Sequence, residues 1–148
     1  MGTVKMKAKI EYPDGKKYEG EVLNDTPHGE GVATTPDGGR YVGGFLMGKF
    51  HGCGHFQLPD GSSYKGNYLF GQFDGYGQLI NADGTTYTGS FSKGKQHGQG
   101  TFTQPDGTEW VGNWDRGQMD GPTTLTLPTG EKTKGTFKKG EFIKGVID

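Results

Sequence analysis

Tyr18, Tyr41, Tyr64, Tyr87 and Trp110 stand 23 residues apart, each opening an aromatic-x-Gly-x-(aromatic or Val) segment. Self-similarity at a period between about 20 and 50 residues means one supersecondary unit stacked many times. Such a chain offers no single folded centre in which an active site could be assembled.

Other columns keep the same interval. Gly20, Gly43, Gly66, Gly89, Gly112 and Gly135 form one, and Val22, Phe45, Tyr68, Phe91, Trp114 and Phe137 the next. The pairs His28-Gly29, His51-Gly52, Asp74-Gly75, His97-Gly98 and Asp120-Gly121 follow, then Gly31, Gly54, Gly77 and Gly100. Units close on turns such as Pro36-Asp37-Gly38 and Pro59-Asp60-Gly61. Thirty glycines in 148 residues with 29% apolar content exclude a conventional aliphatic core, so the aromatics must do much of the burying.

Within a unit, Tyr64-Lys65-Gly66-Asn67-Tyr68 and Gly75-Tyr76-Gly77-Gln78-Leu79 alternate with the period of two that marks a strand with one buried face. A connection of five or six residues around Gly71 joins them, and Asp83-Gly84 supplies the turn to the next unit. Each repeat is therefore a β-hairpin, and the fold class is all-β, an elongated twisted antiparallel sheet of successive hairpins. Parity places Tyr64, Gly66, Tyr68, Gly75, Gly77 and Leu79 on one face. Mid-strand glycine leaves a hole in the side-chain layer, so rings must lie over the bare backbone.

Twelve strands are expected, one N-terminal from about Val4 to Tyr12, five hairpins over 16–130, and a last near 133–138. At about 4.8 Å per strand the ribbon is roughly 55 Å long. Residues 1–17 read as a capping strand, 18–130 as five hairpin repeats, and 131–148 as a degenerate sixth repeat and cap, together one complete domain. Lysines gathered at both ends discourage edge-to-edge pairing. From about Glu141 a short tail is expected, with Phe142 and Ile143 folding back on the sheet.

Tyr18-Glu19-Gly20-Glu21, the His-Gly-x-Gly of residues 97–100 and the Pro-Asp-Gly-x-x-Tyr of residues 36–41 and 59–64 resemble the MORN repeat (membrane occupation and recognition nexus). The resemblance spans nearly the whole chain, with about five copies over 18–130 and a degenerate sixth over 131–140. It implies an elongated hairpin sheet, a role in binding proteins or organising assemblies of the cytoskeleton or cilium, and no catalytic activity of the repeats.

The residues themselves show no catalytic constellation. His28, His51 and His97 share a column with Asp74 and Asp120, which suits polar groups satisfying hairpin-loop backbone. His51, Cys53 and His55 at alternate positions invite a metal, but zinc wants a fourth ligand, so neither metal nor cofactor is expected. The Gly-x-Gly strings lie within strands and lack the helix a phosphate site needs. No apolar run reaches membrane-spanning length, no signal-peptide core opens the chain, and a lone Cys53 suits a reducing cytoplasm.

Residues 18–130 hold six basic residues against twelve acidic ones, a net charge of −6, which repels nucleic acid and anionic lipid alike. Membrane contact is then left to the lysine-rich ends, as a peripheral adaptor for anionic phospholipid. The stronger expectation is a protein partner, a helix or an extended peptide, held in a groove lined by Tyr41, Phe45, Tyr64, Tyr68, Tyr87, Phe91, Trp110 and Trp114. A permanent place as a subunit of a large assembly is a further expectation.

Two hairpin loops break the polar pattern. Leu46-Met47-Gly48-Lys49-Phe50 and Leu69-Phe70-Gly71-Gln72-Phe73 stand where unit four has Ser92-Lys93-Gly94-Lys95-Gln96. Leu46, Met47, Phe50, Leu69, Phe70 and Phe73 either bury each other beneath the hairpins or form an exposed partner surface, which Met119 extends. Exposure is the expectation, and with it that replacing Phe50 and Phe73 by serine spares the unfolding midpoint.

Overall fold

The computed structural model describes residues Met6 to Gly145. Thirteen strands follow one another in chain order: β1 Met6–Glu11, β2 Lys17–Leu23, β3 Thr26–Thr34, β4 Arg40–Leu46, β5 Lys49–Gln57, β6 Ser63–Leu69, β7 Gln72–Ile80, β8 Thr86–Ser92, β9 Lys95–Thr103, β10 Glu109–Asp115, β11 Gln118–Thr126, β12 Lys132–Lys138 and β13 Glu141–Lys144. They form one sheet in which every strand pairs antiparallel with its sequence neighbours. The hairpin architecture expected from the period is present. The expected count of twelve strands is corrected, because residues 141–144 pair with β12 as a strand of their own, placing Phe142 opposite Phe137. Val4 lies outside the described residues.

The loop inside each hairpin is shorter than the five or six residues expected. In β6–β7 the turn is Phe70-Gly71, so Leu69 pairs with Gln72 and Tyr68 with Phe73. Both turn residues have positive φ, 47° and 87°, as a two-residue hairpin turn matched to strand twist requires. Farther in, Gly66 faces Gly77, so β7 takes four steps while β6 takes two. This bulge at Asp74–Tyr76 recurs in the equivalent hairpins and bends each one.

The bend explains how a single-layer sheet buries rings. Tyr41, Tyr64 and Tyr87 are fully buried, and Tyr18, Phe45, Tyr68, Phe91 and Trp114 nearly so. Tyr18, Tyr41, Tyr64 and Tyr87 each lie flat over the second glycine of their own hairpin. A Cβ built on Gly77 would stand 2.5 Å from Cζ of Tyr64, and one on Gly100 the same distance from Cζ of Tyr87. The hydroxyl then reaches past the glycine pair to a backbone carbonyl, Gly44 O for Tyr41, Asn67 O for Tyr64 and Ser90 O for Tyr87, each at 2.8 Å. Rings of adjacent units meet edge to face, as Tyr41 meets Tyr68 at 5.3 Å and Tyr64 meets Phe91 at 5.3 Å. Such pairs add about 1 kcal/mol each beyond area burial.

The fifth hairpin departs from this scheme. Thr123 occupies the position of the second glycine and is buried, which leaves no bare backbone for a ring to cover. Trp110 accordingly turns to Phe137 and Phe142, at 5.4 and 5.3 Å, and its Nε1–H donates to Gln104 Oε1.

The edge carrying the Asp-Gly turns has its own stacking device. The ring of Pro36 lies against Gly15 and that of Pro59 against Gly38, each leaving 2.7 Å to a hypothetical Cβ. Ala82 interrupts the ladder, and nothing lies within 4 Å of a Cβ on Gly61.

Gly77→Ala forces a methyl into the Tyr64 ring and should cost about 3 kcal/mol, an overpacking penalty. Gly61→Ala, at φ 95° with open space around it, should cost about 1–2 kcal/mol from left-handed backbone alone. Urea titration of the two variants checks the order; equal losses would refute the ring-over-glycine account.

Candidate partner-binding site

The expected site residues divide into two groups. Tyr41, Phe45, Tyr64, Tyr68, Tyr87, Phe91 and Trp114 share the inner face but are buried in one cluster, so they form its floor and present little surface to a partner. Trp110 is half-buried. Met47, Leu69 and Phe70 are exposed, at 73%, 46% and 52%, whereas Leu46 is half-buried.

Phe50 and Phe73 do not belong to the exposed row. Phe50 stacks on Tyr41 with ring centroids 3.7 Å apart, and Phe73 on Tyr64 at 3.8 Å. The two-residue turn is the reason, since it sets Phe73 directly opposite Tyr68 on the inner face. Phe50, Phe73, Met119 and Phe142 fall in one column with Pro27 and Gln96, again 23 residues apart, a periodicity that would have revealed an inner-face position. Met119 packs against the core and adds nothing to the outer row.

That column also shapes the inner face. Where it holds phenylalanine, the tyrosine beneath is roofed. At Pro27 an open hollow of about 660 Å³ lies among Tyr18, Phe45, Phe50 and Phe56, and at Gln96 a smaller one of about 300 Å³ lies among Phe102, Trp110, Trp114 and Phe137. The aromatic face is thus a floor with hollows in the first and fourth units.

The histidine column latches consecutive loops. His28 Nδ1 accepts from Met47 N–H at 3.4 Å, His51 Nδ1 from Phe70 N–H at 3.2 Å, Asp74 Oδ2 from Lys93 N–H at 3.2 Å and His97 Nδ1 from Arg116 N–H at 3.4 Å. Beside each latch, the turn glycine donates to the previous hairpin: Gly48 N–H to Pro27 O, Gly71 to Phe50, Gly94 to Phe73 and Gly117 to Gln96. These side chains satisfy loop backbone, as expected from their column. His51 is committed to its latch and Cys53 Sγ faces Asn67 Oδ1 at 3.4 Å, so His51, Cys53 and His55 do not converge. No metal-holding group of three or more such residues occurs among the described residues.

Burial pushes the hydroxyls of Tyr64 and Tyr87 up to about 12, and those of Tyr41 and Tyr68 upward as well. On the opposite edge, hydrogen bonds from Thr35, Ser62, Thr85 and Thr108 hold the carboxyls of Asp37, Asp60, Asp83 and Asp106 below the usual range. Those turns are anionic throughout the physiological range. Among the described residues, no helix is long and apolar enough to cross a membrane.

Residues 18–40, 41–63, 64–86, 87–109 and 110–132 each match the MORN repeat. No curated protein is similar to the chain by sequence. Among solved structures, the SAS-4 (dCPAP) TCP domain in complex with a proline-rich motif of Ana2 (dSTIL), from Drosophila melanogaster, is 14% identical, with 90% of each chain covered and a TM-score of 0.42. A likeness of that size carries no argument about function.

The pair Phe50→Ser and Phe73→Ser removes two stacked rings, and should cost about 3 kcal/mol or more for each. A fall in the thermal midpoint well beyond 10 °C is expected by calorimetry, and an unchanged midpoint would return both rings to the surface. Tyr68→Phe should do the reverse. The Tyr68 hydroxyl is buried without a hydrogen-bond partner, so its removal should stabilise the fold by about 1 kcal/mol in the same measurement.

Proposed function

Because the chain belongs to the MORN-repeat family, matched over residues 18–132, we propose that it is a non-enzymatic scaffold that binds a segment of a partner protein, helical or extended. The observation that carries this reading is the row of exposed apolar side chains at Met47, Leu69 and Phe70. Large apolar groups on tight turns have no internal neighbour to gain, and contiguous exposed apolar surface marks interaction sites. The hollows of the aromatic face receive further side chains of the partner, with Phe50 at the wall of the one next to Gly48 and Trp110 at the wall of the one farther along. A cytoplasmic place within a cytoskeletal or ciliary assembly belongs to the same proposal and rests on the family alone.

A second reading, peripheral attachment to anionic lipid, is favoured by the exposure of Lys132, Lys134, Lys138, Lys139 and Lys144 at one end of the sheet. Flotation with phosphoinositide vesicles at physiological salt, lost on Lys→Glu substitution there, would select it.

The scaffold reading is tested with the triple variant Met47→Ser, Leu69→Ser, Phe70→Ser. Pull-down with mass spectrometry should show partners captured by the wild type and lost by the variant, while the unfolding midpoint moves by no more than a few degrees, as for other exposed positions. Undiminished capture by the variant would overturn the assignment of this row.

A further inference from the structure

The net charge of the repeats conceals a separation of sign between the two long edges of the ribbon. The Asp-Gly turns that close units one to four place Asp37, Asp60, Asp83 and Asp106 along one edge, all exposed. On the other edge, the loops around Gly48, Gly71, Gly94 and Gly117 expose Lys49, Lys93, Lys95 and Arg116, with the carboxylates of Asp74, Asp115 and Asp120 among them. Asp115 Oδ1 lies 3.6 Å from Arg116 Nε and Asp74 Oδ2 accepts the Lys93 N–H at 3.2 Å, and the four cations still outnumber the three carboxylates. The exposed Met47 and Phe70 lie on this same cationic edge.

Resting on the protein-binding reading, we infer that the loop edge docks an acidic, apolar-bearing segment of a partner protein, in the form of an amphipathic helix laid along the row of turns. Three features point there. The first is charge complementarity, because a cationic rim around apolar tips rejects a basic segment and steers an acidic one. The second is spacing. Successive tips are two strands, about 9.6 Å, apart, and residues seven apart on a helix rise about 10.5 Å, so one apolar stripe meets Met47 and Phe70 in turn while carboxylates beyond it reach Lys93 and Arg116.

The third feature is rigidity. Met47 and Phe70 sit at φ 50° and 47°, a conformation unfavourable for large side chains, and the backbone N–H of each is held by a histidine of the preceding hairpin. Gly48 and Gly71 are held likewise by the carbonyls of Pro27 and Phe50. The ring of Phe70 rests against that of His51, with centroids 4.9 Å apart. Exposed apolar groups on turns fixed in this way lose little backbone freedom on binding, which is what preorganised contacts contribute to affinity.

The test uses the full chain and a helical peptide of about 20 residues with leucine at every seventh position and glutamates flanking the stripe. Fluorescence anisotropy should show it binding at least about tenfold more tightly than the same peptide with lysine for glutamate, and weakening as salt rises. Met47→Ser with Phe70→Ser should cost about tenfold or more. Lys93→Glu with Arg116→Glu should cost as much, and Lys49→Glu with Lys95→Glu provides an independent charge reversal should the first pair fold poorly. Equal binding of the two peptides, or indifference to the charge reversals, overturns the inference. So does binding to phosphatidylserine vesicles in place of the peptide, or occlusion of the edge by self-association seen in sedimentation. If partner capture from lysate is lost in the serine variant but survives both charge reversals, the scaffold reading stands and the acidic class alone fails. Capture of nothing by the wild type removes both.

Discussion

A tyrosine ring laid on the bare backbone of the opposite strand is the contact from which the rest of this ribbon follows. It needs glycine on both strands at one register, because a single methyl at Gly77 or Gly100 would occupy the space of the ring. It needs a hydroxyl long enough to pass the glycine pair and end at a carbonyl three residues on. With the ring lying down instead of standing, a sheet only one layer thick can still exclude water from an aromatic core, and the face left above it is hollowed where Pro27 and Gln96 stand in for phenylalanine. The fifth hairpin shows the dependence from the other side. Thr123 denies Trp110 its resting place, and the core there is rebuilt with Phe137 and Phe142 from the last two strands.

Much of this arrangement was legible in the amino-acid sequence. The 23-residue interval, the alternation of Tyr64-Lys65-Gly66-Asn67-Tyr68 and the recurrent Asp-Gly turns are local signals, and local signals suffice for a sheet whose strands pair only with their neighbours. The glycine and aromatic columns even announced the manner of packing. What could not be read by alternation was the path between Tyr68 and Gly77, because two features there disturb the count. The turn has two residues where a longer loop was expected, and the bulge at Asp74–Tyr76 sets two extra residues of β7 against β6. Phe73 falls in that interval and Phe50 in its equivalent between Phe45 and Gly54, and both belong to the core although their sequence context is that of a loop. That residues 141–144 pair as a strand, and do not merely fold back as a tail, escaped for a different reason. A four-residue strand carrying Glu141 and Lys144 lacks a strand's pattern and is held by Phe142 reaching Trp110, a contact between different units.

The two edges of the ribbon show how one repeat can serve packing and recognition at once. Positions that contact the next unit, the histidines, the turn glycines and the stacked prolines, vary little along the chain, whereas the turn residue ahead of the glycine is free to be methionine, phenylalanine, lysine or arginine. Its backbone is fixed by the latch, and its side chain makes no demand on the core. Such a position accepts apolar or charged side chains unbranched at Cβ at constant geometry, so a row of them can be rewritten without disturbing the fold beneath.

The latches have a mechanical meaning as well. Each joins a hairpin only to the one beside it, always over 19 residues of chain, and no strand reaches past its immediate neighbours in the sheet. Tension applied between the two ends of the ribbon passes through every hairpin alike, and the outermost yields first because a neighbour holds it on one side only. The chain would yield from its ends in discrete steps, each releasing one unit and lengthening the tether by roughly 75 Å, and would recoil in the reverse order when the load falls.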